Sequence, residues 1–147
     1  MLKTIRTSFI GAVATLALSA HAYDVAGVEV SPTVGVTLSD INSLPLAAGV
    51  ELGAKATKNG FSITLGGGSV KTPDWSVGTM NYGVVSANYA IPQTPGLSVG
   101  VGTFWRNNIG YRPFAQLTGE VAKNYDVTLR LANGKDDILS VGVARKF

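Results

Sequence analysis

Apolar and polar residues alternate along most of this chain. Val30, Pro32, Val34, Val36 and Leu38 interleave with Ser31, Thr33, Gly35 and Thr37, a period of two that predicts a β-strand with one oily and one polar face. Leu46, Ala48, Val50, Leu52, Ala54 and Ala56 repeat the pattern against Ala47, Gly49, Glu51, Gly53 and Lys55, and Thr57-Lys58-Asn59-Gly60 then supplies a hairpin turn, Asn-Gly being suited to positive φ. Phe61, Ile63 and Leu65 open a third strand opposite Ser62, Thr64 and Gly66. A fourth is expected from about Val77 to Ile91. Its apolar parity changes between Met80-Tyr82-Val84 and Val85-Ala87-Tyr89-Ile91, which predicts a β-bulge near Val84.

The second half continues in the same rhythm. Pro92 to Gly96 makes a turn; Leu97, Val99, Val101, Thr103 and Trp105 form one face of a fifth strand, with Ser98, Gly100, Gly102 and Phe104 on the other. Arg106-Asn107-Asn108 reads as a tight turn. A sixth strand sets Ile109, Tyr111, Pro113, Ala115, Leu117, Gly119 and Val121 against Arg112, Phe114, Gln116, Thr118 and Glu120, Pro113 being locally at odds with a ladder hydrogen bond. Tyr125, Val127, Leu129 and Leu131 alternate with Asp126, Thr128 and Arg130, and after the polar turn Asn133 to Asp137 the eighth strand alternates Leu139, Val141 and Val143 with Ser140, Gly142 and Ala144. Eight strands joined by short turns imply antiparallel, up-and-down order.

The N-terminus breaks the rhythm. Lys3 and Arg6 precede an apolar run from Phe9 to Leu18, followed by Ser19-Ala20-His21-Ala22. That is the layout of a secretory signal peptide over residues 1–22, cleaved after Ala22, rather than of a buried helix, which Gly11 would interrupt. Residues 23–147 are then the mature domain. Removing the leader leaves 10 of the 12 Lys and Arg against 9 Asp and Glu, so the basic balance of the whole chain is partly a matter of targeting. It also removes the only histidine, His21, from a chain that has no cysteine. Without imidazole or thiolate the expectation is no enzyme of the Ser-His or Cys-His kind, no metal site of ordinary zinc type, no cofactor and no disulfide staple. With 46% apolar and 14% charged residues, the chain is too apolar for disorder and too weakly charged for a nucleic-acid partner.

No run reaches the roughly 18 apolar residues that a spanning helix needs, so any bilayer crossing must be made by strands. Alternation alone fits a soluble barrel with an oily interior as well as a membrane barrel with an oily exterior. The polar faces carry Glu51, Lys55, Arg112, Gln116, Glu120, Asp126 and Arg130 among Gly, Ser and Thr, a composition that fills a narrow eight-stranded lumen with opposed charges. The aromatic residues divide by strand end: Tyr23, Phe61, Tyr89, Tyr125 and Phe147 toward the termini, and Trp75, Tyr82, Trp105 and Tyr111 toward the opposite end. Two such belts are what membrane interfaces select. The fold expected is all-β, an eight-stranded antiparallel up-and-down transmembrane β-barrel. About 80 residues suffice for eight strands of about 10, which leaves short connections only.

The last eight residues, Ser140-Val141-Gly142-Val143-Ala144-Arg145-Lys146-Phe147, resemble the C-terminal assembly signal of bacterial outer-membrane β-barrels. Ser140, Gly142 and the terminal aromatic Phe147 match; Arg145 stands where that signal usually has an apolar or aromatic residue. In plan the mature chain resembles the small eight-stranded outer-membrane barrels of the OmpX and OmpA transmembrane type, without any internal motif specific to one family. The resemblance implies residence in the bacterial outer membrane, termini toward the periplasm, contact with outer-membrane lipid, and the barrel-assembly machinery as a partner during insertion. Arg106, Lys71 and Lys135 fall at the end where anionic lipopolysaccharide would lie.

Three further patterns bear on chemistry. Glu120 and Asp126 are placed symmetrically about Lys123 and should oppose one another across a hairpin; Lys55 or Lys146 at the same end makes neutralisation the better reading than acid-base work. Gly66-Gly67-Gly68 lacks the helix and Gly-Lys-Ser/Thr continuation of a phosphate loop and reads as barrel wall. Asn133 to Asp137 lacks the spacing of a calcium loop and reads as a polar turn. The expected role is therefore non-enzymatic, in envelope structure or surface interaction. A narrow porin-like channel for small solutes or ions, with its glycines leaving space in the lumen, and a soluble periplasmic ligand-binding barrel are the alternatives.

Overall fold

Nine strands run through residues 22–41, 47–71, 79–106, 110–133 and 138–147, which the computed structural model of the chain describes. They are β1 (Tyr23–Val25), β2 (Val28–Ile41), β3 (Ala47–Lys58), β4 (Phe61–Lys71), β5 (Thr79–Ala90), β6 (Leu97–Arg106), β7 (Gly110–Ala122), β8 (Tyr125–Ala132) and β9 (Ile138–Lys146). Each pairs antiparallel with the next, and β9 returns to β2 from Thr33↔Lys146 to Ile41↔Ile138. Closure makes β2 to β9 an eight-stranded antiparallel barrel and removes the sheet edges that an open sheet would expose. Residues 1–21 of the expected 22-residue leader, Leu46, the stretch 72–78 with Trp75 and Val77, and residues 107–109 and 134–137 with Lys135 lie outside the described residues.

Why the chain folds this way follows from the alternation. A strand with one apolar and one polar face must turn one of them inward, and here the polar face goes in. Ser86, Gln116 and Arg130 are 2%, 7% and 8% exposed, whereas Leu65, Val101 and Leu131 on the opposite faces are 59%, 66% and 55% exposed. Twenty large hydrophobic side chains are exposed among the described residues. Such a continuous apolar exterior has water as the wrong solvent and hydrocarbon as the right one.

The turns at the terminal end are built from residues that accept positive φ. Asn59 and Gly60 have φ of 51° and 78°, and Ala26 and Gly27 have 55° and 77°, in each case the pair of left-handed residues that a two-residue type I′ hairpin requires. The second hairpin creates β1, a strand the alternation did not announce. It folds back on Val28 to Val30 and occupies the stretch of the β2 edge that β9 leaves beyond Lys146. There the Phe147 amide donates to the Pro32 carbonyl at 3.1 Å.

One expectation about strand regularity needs correction. No bulge interrupts β5: its register runs unbroken from Phe61↔Tyr89 to Lys71↔Thr79 on one side and from Gly83↔Trp105 to Ala90↔Ser98 on the other. The apolar parity of β5 changes because Met80, Tyr82 and Val84 fill the lumen, not because the strand slips. The irregularity lies instead in β7, between Glu120 and Ala122, next to a turn in which Asn124 takes φ of 66°. The extra residue, Val121, is accommodated there as a bulge accommodates one.

Candidate functional site: the filled lumen

Side chains from every strand of the barrel converge on its interior, and they sort into layers. At the terminal mouth Glu120 and Asp126 stand opposite each other on β7 and β8. Lys55 Nζ lies 3.0 Å from Asp126 Oδ2, Lys146 Nζ lies 3.1 Å from Asp126 Oδ1 and 3.5 Å from Glu120 Oε2. Two lysines from β3 and β9 thus answer two carboxylates, the neutralisation expected for this pair. Just inside, the Thr118 and Thr128 hydroxyls are bonded at 3.1 Å.

The middle layer turns on Arg130. Its Nη1 and Nη2 donate to Glu51 Oε2 and Oε1 at 2.6 and 2.9 Å, a two-pronged bridge from β8 to β3 across the lumen. Its Nε donates to Gln116 Oε1 at 3.1 Å. Gln116 Nε2 in turn donates to Ser86 Oγ at 3.2 Å and to Asn88 Oδ1. On the other side Tyr82 OH donates to Glu51 Oε2 at 3.0 Å. The planar guanidinium is suited to this task, since its fork matches a carboxylate while its face lies against rings. Its carbon is 5.5 Å from the Phe114 centroid and 5.8 Å from that of Phe104. Burying this ion pair is tolerable because each partner's remaining polar atoms find further bonds.

An aromatic layer covers the ionic one. Phe104 meets Tyr82 edge-on at 5.5 Å and Phe114 at 4.5 Å, and Val84, Ala132 and Ile138 pack against the three rings. Glycine makes room for them. A Cβ on Gly68 would stand 2.5 Å from the Tyr82 ring, and one on Gly102 would stand 2.5 Å from Phe114. Gly68 and Gly102 are therefore seats for large rings, whereas Gly35, Gly53 and Gly66 stand against neighbouring backbone, and Gly35 and Gly142 line a cavity. Among the described residues, a cavity of about 30 Å³ is lined in part by Glu51, Arg130 and Thr128, and another of about 110 Å³ in part by Tyr82, Phe104 and Ile138.

Two sequence-derived placements change. Tyr82 does not join an aromatic belt; it points into the lumen, where its ring is packed and its hydroxyl bonded to Glu51. Arg112 lies four residues along β7 from Gln116, with Phe114 between, and lines the larger cavity. The exterior aromatics are Tyr23, Phe61, Tyr89 and Tyr125 near the termini and Trp105 and Tyr111 at the other end, with Phe61 paired to Tyr89 and Trp105 to Tyr111. In the C-terminal segment, Ser140 bonds Ser39 at 3.1 Å and Gly142 pairs with Thr37 and Thr128. Arg145 lies over the rings of Phe147 at 4.7 Å and Tyr125 at 5.9 Å, a cation–π seat for the residue that departs from the assembly signal. Among the described residues no cluster of His, Cys, Asp and Glu is arranged to hold a metal ion.

The closed polar-in, apolar-out barrel defines the class: this chain has the fold of eight-stranded transmembrane β-barrels of the outer-membrane type. A designed transmembrane β-barrel superposes on it with a TM-score of 0.55 at 16% identity, covering 80% of this chain and 95% of the other. The crystal structure of Neisserial surface protein A superposes with a TM-score of 0.50 at 15% identity, covering 87% of this chain and all of the other. No protein-family model and no curated protein matches the sequence.

Proposed function

We propose that this protein is an integral barrel of the bacterial outer membrane that serves envelope structure or surface interaction, without catalysis or conduction. Its termini face the periplasm, its Val and Leu exterior meets lipid, and Arg106 and Lys71 at the far end meet the anionic lipopolysaccharide layer. The barrel-assembly machinery recognises its last strand through Ser140, Gly142 and Phe147.

The observation that carries this reading is the Glu51 to Arg130 bridge pressed against Phe104 and Phe114. It crosses the lumen at a level where an ion or solute would have to pass, and moving it would leave a charge unpaired in a low-dielectric interior. The narrow-channel alternative requires a continuous aqueous path. In planar lipid bilayers the protein is expected to give no stable single-channel steps, whereas reproducible unitary conductance would replace this reading with the channel. The soluble-barrel alternative is opposed by the apolar exterior, and recovery from the periplasm without detergent would be its sign.

A further inference from the structure

The 30 Å³ cavity lies at the Arg130–Glu51 bridge, on the side of the terminal mouth, and is lined from within β2, β3, β8 and β9. Thr128, on its wall, stands midway along β8 between Asp126 and Arg130, and Gly35, also on its wall, pairs with Glu51. Thr37 lines it as well. That residue is 5% exposed, and its hydroxyl oxygen has no hydrogen-bond partner among the described residues. The Tyr82 hydroxyl beside it gives its proton to Glu51 Oε2. A buried hydroxyl left unbonded is costly, because in water it would bond on both sides.

We infer that this cavity binds an ordered water, held between the Thr37 hydroxyl and the Glu51 carboxylate. Size fits: a buried water needs a cavity of at least about 10–15 Å³, so 30 Å³ takes one and has room for about a second. The partners fit too, since a buried water makes about three hydrogen bonds. Glu51 Oε2 already accepts from Arg130 and Tyr82, whereas Oε1 accepts from Arg130 Nη2 and keeps a lone pair for a further donor. Thr33 and Thr128 bring two more hydroxyls to the wall. Charge selects against an ion. The charged residues that line the cavity, Arg130 and Glu51, neutralise each other, so the occupant favoured is a small neutral molecule that both donates and accepts. Gly142 preserves the space, for a Cβ there would stand 3.2 Å from Thr37 Cγ2. The ionic bridge thus has a hydrated side toward the termini and a side of rings beyond it.

Crystals of the protein grown from a lipidic mesophase, at a resolution that shows ordered solvent, test this directly. Density for a water is expected about 2.7–3.2 Å from Thr37 Oγ1 and from Glu51 Oε1. Soaks in sodium bromide and in rubidium chloride should leave no anomalous peak at that position. Thr37→Val should lose the density and lower the urea midpoint of unfolding. In a dry site the same change, which exchanges an unbonded hydroxyl for a methyl group, would leave the midpoint unchanged or raise it. A cavity without density, with Thr37 closed directly onto Tyr82, or an anomalous bromide or rubidium peak inside it, would overturn the assignment in the unmodified protein, whether or not the variant folds.

Discussion

The side chain on which most of the interior depends is Arg130, which reaches Glu51, Gln116 and two aromatic rings at once. Removing one member of a buried ion pair leaves the other charged and unpaired, so Glu51→Ala or Arg130→Ala should each lower stability by about 3–5 kcal/mol in urea unfolding, while Glu51→Gln combined with Arg130→Met should recover much of the loss. The terminal mouth provides a contrast. The Asp126 side chain is 9% exposed and holds both lysines, whereas that of Glu120 is 44% exposed. Asp126→Asn should therefore cost about 3 kcal/mol and Glu120→Gln less than about 1 kcal/mol in the same assay. Parity alone was enough to put these charges on one face. It was not enough to pair Glu51 with Arg130, 79 residues apart, because partners across a lumen depend on the stagger of the closed sheet, which no single strand encodes.

Among the elements, β5 shows where reading by alternation fails. A residue that is apolar belongs outside a membrane barrel only if the lumen is polar throughout, and this lumen is not. Met80, Tyr82, Val84, Phe104 and Phe114 build an internal apolar layer, so the apolar face changes sides while the strand stays regular. Phe104 and Phe114 were legible as inward-facing because their neighbours alternate cleanly; Tyr82 was not, since an amphipathic ring fits a lipid interface as well as a hydroxyl-bonded interior site. The short strand β1 left no trace of period in three residues. The packing between β6 and β7 gives the sharpest test at this scale. Gly102→Ala should displace the Phe114 ring and cost about 1–3 kcal/mol by overpacking, and a smaller partner, Phe114→Leu, introduced with it should restore part of that loss.

For the molecule as a whole, the sequence carried the eight strands of the barrel, their antiparallel order and, β5 apart, the direction in which each face points, because all three follow from period two and from where charge can be placed. Lumen filling, the larger cavity and the seam where β1 and β9 share one edge of β2 needed the closed barrel. The central claim is that the apolar faces meet lipid and the charged faces are enclosed. The chain has no cysteine, so single nitroxide labels at Val127, Thr128, Leu129, Leu131 and Ala132 along β8 report their own sites without ambiguity. In bilayers, labels at Val127, Leu129 and Leu131 should be reached by oxygen and shielded from a water-soluble nickel chelate, and those at Thr128 and Ala132 should be poorly reached by both. The opposite phase, with Leu129 and Leu131 hidden from both reagents and Thr128 open to the chelate, would contradict the account.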